Sequence, residues 1–300
     1  MWILSRFFRD LNAQYHGPEG DAFALDELTP VAERFARGGV ALEVGCGYGR
    51  NLVGLAATSA RVVVGCDPQR KELVRAARER IAPLAEESRR RVSLVRQDPW
   101  KLPFADASCD LVVLWQVLEH VFHRDEKQRV LDECMRVLKD GGHLLVETPN
   151  QWFPVDYHDN RVPFAHWILP RAGREWLTEK IRGQRYWPSQ YLSVRGYEAL
   201  LRRSPHVAGI ERATQFYFAA SWNEAYRHLA GTQVALKRLL FLGLAPLHFL
   251  LRSFGSTADH FLPSIRMVWR VRKKADRASA AVLPVPPSAS TPAFKEERPA

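Results

Sequence analysis

The sequence predicts an α/β fold built on a doubly wound, mostly parallel sheet of seven strands. Short apolar runs, several rich in valine, alternate with amphipathic helical stretches across residues 40–150. Two later runs, 209–218 and 264–271, supply the sixth and seventh strands, the seventh as the antiparallel partner of the sixth. Strands that alternate with helices pair in parallel through right-handed crossovers, so helices are expected on both faces of the sheet.

Composition limits the class of protein. The chain has 300 residues, of which 46% are hydrophobic, and this suffices for a sizeable core. Its four cysteines show no metal-binding or redox spacing, which favours a reduced, cytoplasmic setting. No secretory signal is visible, and no apolar run is long enough to span a bilayer. The net charge of +10 permits contact with phosphates, anionic lipid or nucleic acid, and solvated basic faces explain it equally well.

The first strand of the core, residues 40–44, runs directly into a glycine loop. Gly45, Gly47 and Gly49 alternate, and a helix follows at once. Such a loop lets a ligand lie directly on the backbone at the carboxyl edge of a parallel sheet. The dinucleotide fingerprint requires a further glycine at position 50, which is Arg50, so that class of ligand is not indicated.

The second strand, residues 61–66, ends in Asp67 and Pro68. An acidic residue about 20 positions beyond a glycine loop, at the tip of the next strand, can hold a ribose diol, because a carboxylate accepts two hydrogen bonds. The alternative role for Asp67 is that of N-cap of the following helix. We favour ribose binding as the role of Asp67.

The remaining elements of the core follow in order. A third strand spans 91–96, a fourth spans 111–115, and a fifth spans 143–147. A helix over 125–138 precedes the fifth strand, and Gly141 suits its left-handed C-cap. Before the core, Thr29 is the expected N-cap of a helix that has Pro30 at its first position.

With Glu43, the glycine loop reads Glu-x-Gly-x-Gly-x-Gly, which resembles motif I of the class I S-adenosylmethionine (SAM) methyltransferases. The segments 102–110 and 136–150 resemble the family's sequences around its fourth and fifth strands. The resemblance implies a Rossmann-like fold and SAM as methyl donor, with Asp98 taking the adenine amino group. The implied cofactor contacts are Glu43, Gly45, Cys46, Gly47, Gly49, Asp67, Pro68, Asp98, Pro99 and Trp115.

Methyl transfer to an oxygen acceptor requires a base, for which histidine is the usual residue. His120, His123, His158 and His166 are the candidates, and we expect His158 and His120 to be catalytic, because both follow strands that end at the pocket. Ubiquinone-pathway and small-RNA 2′-O-methyltransferases carry Glu-x-x-Glu-His after the fourth strand for a magnesium-type ion. Here Gln116 replaces the first carboxylate, so we expect no metal.

The segment that follows the fifth strand is expected to bind the acceptor. Residues 151–190 are rich in aromatic residues and irregular in pattern, and such long excursions are usually functional. Residues 234–252 form a basic, strongly apolar stretch, which either lies in a membrane interface or packs internally or in a dimer. The sequence thus divides into N-terminal capping helices (1–39), the SAM-binding core (40–150), substrate-side insertions with the last strands (151–273) and a disordered tail (274–300).

These features favour O-methylation of a lipid-linked, isoprenoid or glycan hydroxyl. The expected partners are a small-molecule or lipid-linked acceptor and the inner membrane surface, contacted peripherally through residues 234–252. No Asn/Asp-Pro-Pro-Tyr follows the fourth strand, which disfavours exocyclic amino groups of bases as acceptors, and nucleic acid is not the expected partner. The alternatives are an RNA methyltransferase, suggested by the net charge, and a catalytically silent scaffold of the same fold at a membrane.

Overall fold

A computed structural model of the chain describes residues 18–68, 71–153, 162, 164–183, 185–186, 190–214, 246, 250 and 264–274. In this part of the chain one sheet has the strand order β3-β2-β1-β4-β5-β7-β6. Its strands are β1 (Val40–Val44), β2 (Val62–Asp67), β3 (Val92–Arg96), β4 (Cys109–Trp115), β5 (Leu138–Pro149), β6 (Val207–Arg212) and β7 (Ser264–Lys273). Only β7 is antiparallel to its neighbours, β5 and β6. The predicted seven-stranded, mostly parallel sheet is confirmed, including the antiparallel pairing of the last two strands.

Helices cover both faces of the sheet in the described part of the chain. They are α1 (Pro18–Phe23), a π-helical segment (Ala24–Leu28), α2 (Thr29–Ala36), α3 (Arg50–Ala56), α4 (Lys71–Ile81), α5 (Glu86–Arg90), a 3₁₀ helix (Leu118–His120), α6 (Arg124–Val137), α7 (Ala165–Ile168), α8 (Arg171–Arg182) and α9 (Val194–Arg203). One core cluster joins the sheet to α2 and α3, and the other joins it to α6 and α9. Among the described residues, no helix is long and apolar enough to cross a bilayer.

The first strand shows why its apolar run is nearly continuous. Leu42 and Val44 face the α6 and α9 side, whereas Ala41 faces α2 and α3. Because successive side chains alternate, Glu43 points to the same side as Ala41. A strand covered on both faces needs apolar residues at nearly every position, so the charged Glu43 is the exception in this run.

The strand order creates a crevice between β1 and β4. From β1 the chain winds outward to β2 and β3, and from β4 it winds in the opposite direction to β5. The carboxyl ends of β1 and β4 therefore border a topological switch point, where open α/β sheets bind their ligands.

Thr29 is not the N-cap that the sequence predicts. Leu28 occupies that position, because α1, the π-helical segment and α2 follow one another without a break. The Thr29 hydroxyl instead donates to the Gly54 carbonyl at 2.9 Å and so ties α2 to α3. The Thr29 hydroxyl therefore bonds to a neighbouring helix instead of capping its own helix, which is what the local sequence pattern predicts.

The predicted C-cap role of Gly141 is also wrong. Helix α6 ends at Val137, and β5 already begins at Leu138. Gly141 does have positive φ, +73°, but it lies where the β4–β5 register shifts between the pairs Cys109–Leu138 and Leu111–His143. Its left-handed conformation serves an irregularity in the sheet rather than the end of a helix.

Several predictions fall outside the described residues. They concern the start of the N-terminal capping region (1–17), most of the apolar stretch 234–252, and the tail beyond residue 274. The predicted sixth strand, 209–218, is described only to residue 214. The observed strand, β6, spans Val207–Arg212 and so begins two residues earlier than predicted.

Gly54 is the point at which α3 meets the preceding helical segment, and its substitution tests this packing. A Cβ at Gly54 would lie 2.7 Å from the carbonyl oxygen of Ala24. We expect Gly54→Val to lower the free energy of unfolding by about 1–3 kcal/mol, because valine gains little helix propensity over glycine and must displace backbone. Urea unfolding followed by circular dichroism measures this.

The matched control is Gly209→Val on β6, where a Cβ would meet nothing within 4 Å. This variant is expected to stay within about 0.5 kcal/mol of the wild type. Equal stability of the two variants would contradict the packing described for Gly54.

Candidate functional site

The glycine loop after β1 is held against two neighbouring segments. Gly45 N–H donates to the Cys66 carbonyl at the end of β2, at 2.7 Å. A Cβ at Gly45, where φ is +80°, would come within 2.4 Å of Val117 Cγ2 in the segment after β4. Gly47 also has positive φ, +47°, but a Cβ there would meet nothing within 4 Å. The loop is thus tightly packed at Gly45 and offers open backbone at Gly47, where a ligand can approach.

Asp67 lies at the carboxyl end of β2 and is 8% exposed. Its Oδ2 accepts a hydrogen bond from Gly47 N–H at 2.9 Å. The Asp67 carboxylate therefore fixes the open part of the glycine loop to the neighbouring strand.

Glu43 is buried, with 1% of its surface exposed. Asn51 on α3 donates to its Oε1 at 2.7 Å, whereas its Oε2 has no hydrogen-bond partner. Burial raises the pKa of Glu43 to about 7, with a smaller contribution from the charge of Asp67, and the Asn51 hydrogen bond and the charge of Arg50 oppose this rise. A buried carboxylate oxygen without a donor is costly, so the site favours a ligand that brings a cationic donor.

Asp98 follows β3 and is exposed, and Pro99 beside it is buried. Burial, followed by the charges of Asp67 and Asp98, raises the pKa of the Cys66 thiol to about 12. Burial and then the charges of Glu43 and Asp67 likewise raise the pKa of the Cys46 thiol. Glu43 lies near the end of β1, Asp67 ends β2 and Asp98 follows β3, so these three residues lie toward the same edge of the parallel sheet.

Trp115 ends β4 and is only 4% exposed. Its ring meets Phe23 of α1 edge-on, with centroids 6.0 Å apart. The guanidinium carbons of Arg50 and Arg266 lie 5.8 and 5.7 Å from the Trp115 ring centroid. These four residues form an aromatic–guanidinium cluster at the carboxyl end of β4. Sequence reasoning found Trp115 but missed the other three, which come from separate elements and carry no local signal.

Of the four candidate histidines, the structure describes His120, His123 and His166. His120 is exposed at the end of the 3₁₀ helix, and His158 lies outside the described residues. His123 caps α6 in a reciprocal capping box with Glu126, which gives it a structural role. His166 lines a cavity beyond β5, described below.

The segment after β4 is held in place by hydrogen bonds with buried polar side chains. The Lys127 ammonium donates to the carbonyls of Leu118 and Val121. Burial lowers the pKa of Lys127 to about 8, against the charges of Glu119 and Glu126. Glu119 is itself buried and accepts from the Thr148 hydroxyl at 3.1 Å. Within the described ranges, no group of three or more His, Cys, Asp or Glu side chains is arranged to hold a metal ion.

A second concavity lies beyond the carboxyl end of β5. Asn150 pairs with Leu192, and next to this pair opens a cavity of about 270 Å³. Its polar walls include Gln151, His166, Arg174, Thr178 and Gln190. The cavity lies within the segment that the sequence assigns to the acceptor.

Known proteins share this core. Residues 42–146 match the family model described as a methyltransferase domain. A probable SAM-dependent methyltransferase of Mycolicibacterium smegmatis is 38% identical over 112 residues, 37% of this chain and 38% of that protein. The methyltransferase GfsG of Streptomyces halstedii is 32% identical over 154 residues, 48% of this chain and 52% of the relative. A ubiquinone biosynthesis O-methyltransferase of Coxiella burnetii is 27% identical over 188 residues, 56% of this chain and 76% of the relative.

The chain thus spans between about a third and a half of the length of the first two relatives. The sheet order and the glycine loop at its switch point define a cofactor-binding, Rossmann-like α/β domain. Together with the matched family model, they identify residues 42–146 as a methyltransferase domain. The similar Mycolicibacterium smegmatis protein is named as SAM-dependent, and a buried carboxylate oxygen without a donor next to open glycine backbone suits a ligand that carries a cationic amino group.

The raised pKa of Glu43 predicts a specific dependence of stability on pH. The unfolded chain loses this proton from about pH 4.5, whereas the folded chain keeps it until about pH 7. The contribution of Glu43 to the free energy of unfolding therefore falls as pH rises through this window. Glu43→Gln keeps an acceptor for Asn51 and removes the titration, so its stability relative to the wild type should rise by up to about 3 kcal/mol between pH 4.5 and 7.

Urea unfolding at several pH values measures this difference. Glu87→Gln is the matched control, because Glu87 is exposed on α5, and its stability should follow that of the wild type at every pH. Parallel stability curves for Glu43→Gln and the wild type would contradict the account of Glu43.

Proposed function

We propose that this chain is a SAM-dependent methyltransferase that transfers a methyl group to a hydroxyl of a lipid-linked, isoprenoid or glycan acceptor. The observation that carries the cofactor half of this proposal is the buried Glu43 oxygen without a donor, at the switch point between β1 and β4. The acidic side chains of Asp67 and Asp98 stand at the ends of the next two strands.

Each acidic residue is proposed to hold one part of the cofactor. Glu43 Oε2 accepts from the methionine amino group, Asp67 accepts from the ribose hydroxyls, and Asp98 accepts from the adenine amino group. The backbone of Gly45, Cys46, Gly47 and Gly49 lies along the methionine part. Pro68, Pro99 and Trp115 flank these contacts, and Trp115 does so from within the aromatic–guanidinium cluster.

The bound cofactor supplies an activated methyl group on a sulfonium, and this chain's residues then have to align the acceptor and remove its proton. We propose that the cavity beyond β5 receives the acceptor. His120 and His158 stay candidate bases, and the place of His166 on the cavity wall makes this third candidate from the sequence a further possible base. Its Nε2 is 3.2 Å from the Gln151 carbonyl oxygen, which can only accept, so Nε2 carries the hydrogen in this contact and Nδ1 is the basic nitrogen.

The acceptor class rests on the aromatic segment around this cavity and on the apolar stretch 234–252. The similar Coxiella burnetii protein is named an O-methyltransferase, which agrees with an oxygen acceptor. An RNA acceptor is suggested by the net charge of +10. The peripheral membrane contact through residues 234–252, a cytoplasmic location and the four-part domain division stay predictions from the sequence.

Isothermal titration of the full chain with SAM tests the cofactor half directly. Wild type is expected to bind. Asp67→Asn keeps an acceptor for Gly47 N–H but replaces one carboxylate oxygen by a donor, so it should bind SAM about tenfold more weakly. Asp125→Asn, on the exposed start of α6, is the matched control and should bind like the wild type. Unchanged affinity in Asp67→Asn would remove the ribose assignment, and a folded wild type that does not bind SAM would end the proposal.

The pH dependence of the same titration tests the role of Glu43. Because only the ionised carboxylate attracts an ammonium group, SAM affinity should rise with pH up to about 7, by up to about tenfold per pH unit. Glu43→Gln should bind more weakly and show a flat profile between pH 5.5 and 7. A flat profile in the wild type would show that Glu43 does not hold the amino group.

A further inference from the structure

The cavity beyond β5 is lined by a cationic side chain that pairs with no carboxylate in the described part of the chain. Arg174 of α8 lines the cavity, and its Nε is buried without a hydrogen-bond partner. Its guanidinium carbon lies 5.8 Å from the ring centroid of Tyr186, which is also on the wall. Among the described residues, Arg174 forms no ion pair, and no carboxylate lines the cavity. An arginine in this position is suited to an anionic oxygen from outside.

The neighbouring arginine on the same helix shows the contrast. Arg171 Nε pairs with Glu175 Oε1 at 2.9 Å, and the two side chains are 68% and 41% exposed. Its charge is neutralised locally, in the ordinary manner of a helix surface. Arg174 differs because it lies against Tyr186 beside the polar groups of Thr178 and Gln190.

An exposed apolar surface adjoins the cavity. Trp167 Nε1 donates to the Gln151 carbonyl at 2.9 Å, and its ring meets those of Trp152 and Phe164 edge-on. Trp152, Phe164 and Trp167 are each almost half exposed, and Ile168 is 73% exposed. We name Trp152, Phe164, Trp167 and Ile168 the aromatic shelf. Such a group of large exposed apolar side chains marks a surface that binds something.

The size of the cavity limits what it encloses. Pockets that take a whole drug-sized ligand measure about 300–1,000 Å³. At about 270 Å³, this cavity holds a compact polar group, and the rest of the ligand must lie outside, where the aromatic shelf begins.

We propose that the acceptor is an amphiphilic anion: Arg174 binds a phosphate or carboxylate group inside the cavity, and the aromatic shelf carries the ligand's apolar chain. This inference rests on the proposed function, because it treats the cavity as the acceptor site of the methyltransferase. It narrows the acceptor class to molecules in which an anionic group lies next to an apolar chain.

Isothermal titration of the full chain tests this with four probes below their micelle-forming concentrations: decyl phosphate, decanoate, decanol and inorganic phosphate. We expect decyl phosphate or decanoate to bind at least about tenfold more tightly than decanol and inorganic phosphate. If decanol bound as tightly as the charged amphiphiles, the proposed role of the ligand's negative charge would be wrong. Equal binding of inorganic phosphate would overturn the role of the aromatic shelf, and no binding of either charged amphiphile would overturn the whole inference.

Variants separate the parts of the site. Arg174→Gln should weaken binding of the charged amphiphile by about 10- to 100-fold, and Arg174→Lys should restore part of it. Arg171→Gln is the matched control and should bind like the wild type. Ile168→Ser changes a largely exposed position. It should weaken binding of the charged amphiphile and leave the affinity for inorganic phosphate unchanged. Unaltered amphiphile binding in Arg174→Gln would contradict the assignment.

SAM titration of the same samples keeps the two proposals distinct. Arg174→Gln should bind SAM like the wild type, because Arg174 is not among the proposed cofactor contacts. If SAM binds and the charged amphiphiles do not, the inference about the acceptor fails alone. If the amphiphiles bind and SAM does not, the proposed function fails.

Discussion

The site is organised around one buried carboxylate, that of Glu43. The protein supplies a hydrogen-bond donor to only one of the two carboxylate oxygens. Glu43 interrupts an otherwise apolar strand that is covered on both faces by helices. Asn51 occupies one of its oxygens, and the other oxygen has no donor. Burial of this kind is unfavourable to folding by itself, and it becomes useful when a ligand brings the missing donor and positive charge.

The glycine loop that follows Glu43 is held by contacts within the protein. The Cys66 carbonyl and Asp67 fix its backbone from two sides. The Lys127 ammonium holds the segment after β4 by donating to the carbonyls of Leu118 and Val121. A preformed site of this kind saves the ligand the cost of ordering the chain.

The features that could be predicted from the sequence are those with local signals. The strands follow from valine-rich runs, and Asp67 and Asp98 follow from the rule that parallel strands end at a common edge. Thr29 and Gly141 show the limit of local patterns. Thr29 uses its hydroxyl to bind a neighbouring helix, and Gly141 uses its positive φ within a sheet irregularity. The aromatic–guanidinium cluster and Arg174 depend on residues brought together from distant parts of the chain, which no spacing in the sequence reveals.

The most direct measurement of the central claim is a crystal structure of the chain with S-adenosylhomocysteine, which lacks the transferable methyl group. The account predicts its amino group about 3 Å from Glu43 Oε2, its ribose hydroxyls on Asp67 and its adenine beside Asp98. A ligand bound elsewhere, with Glu43 Oε2 satisfied by protein or solvent, would contradict it.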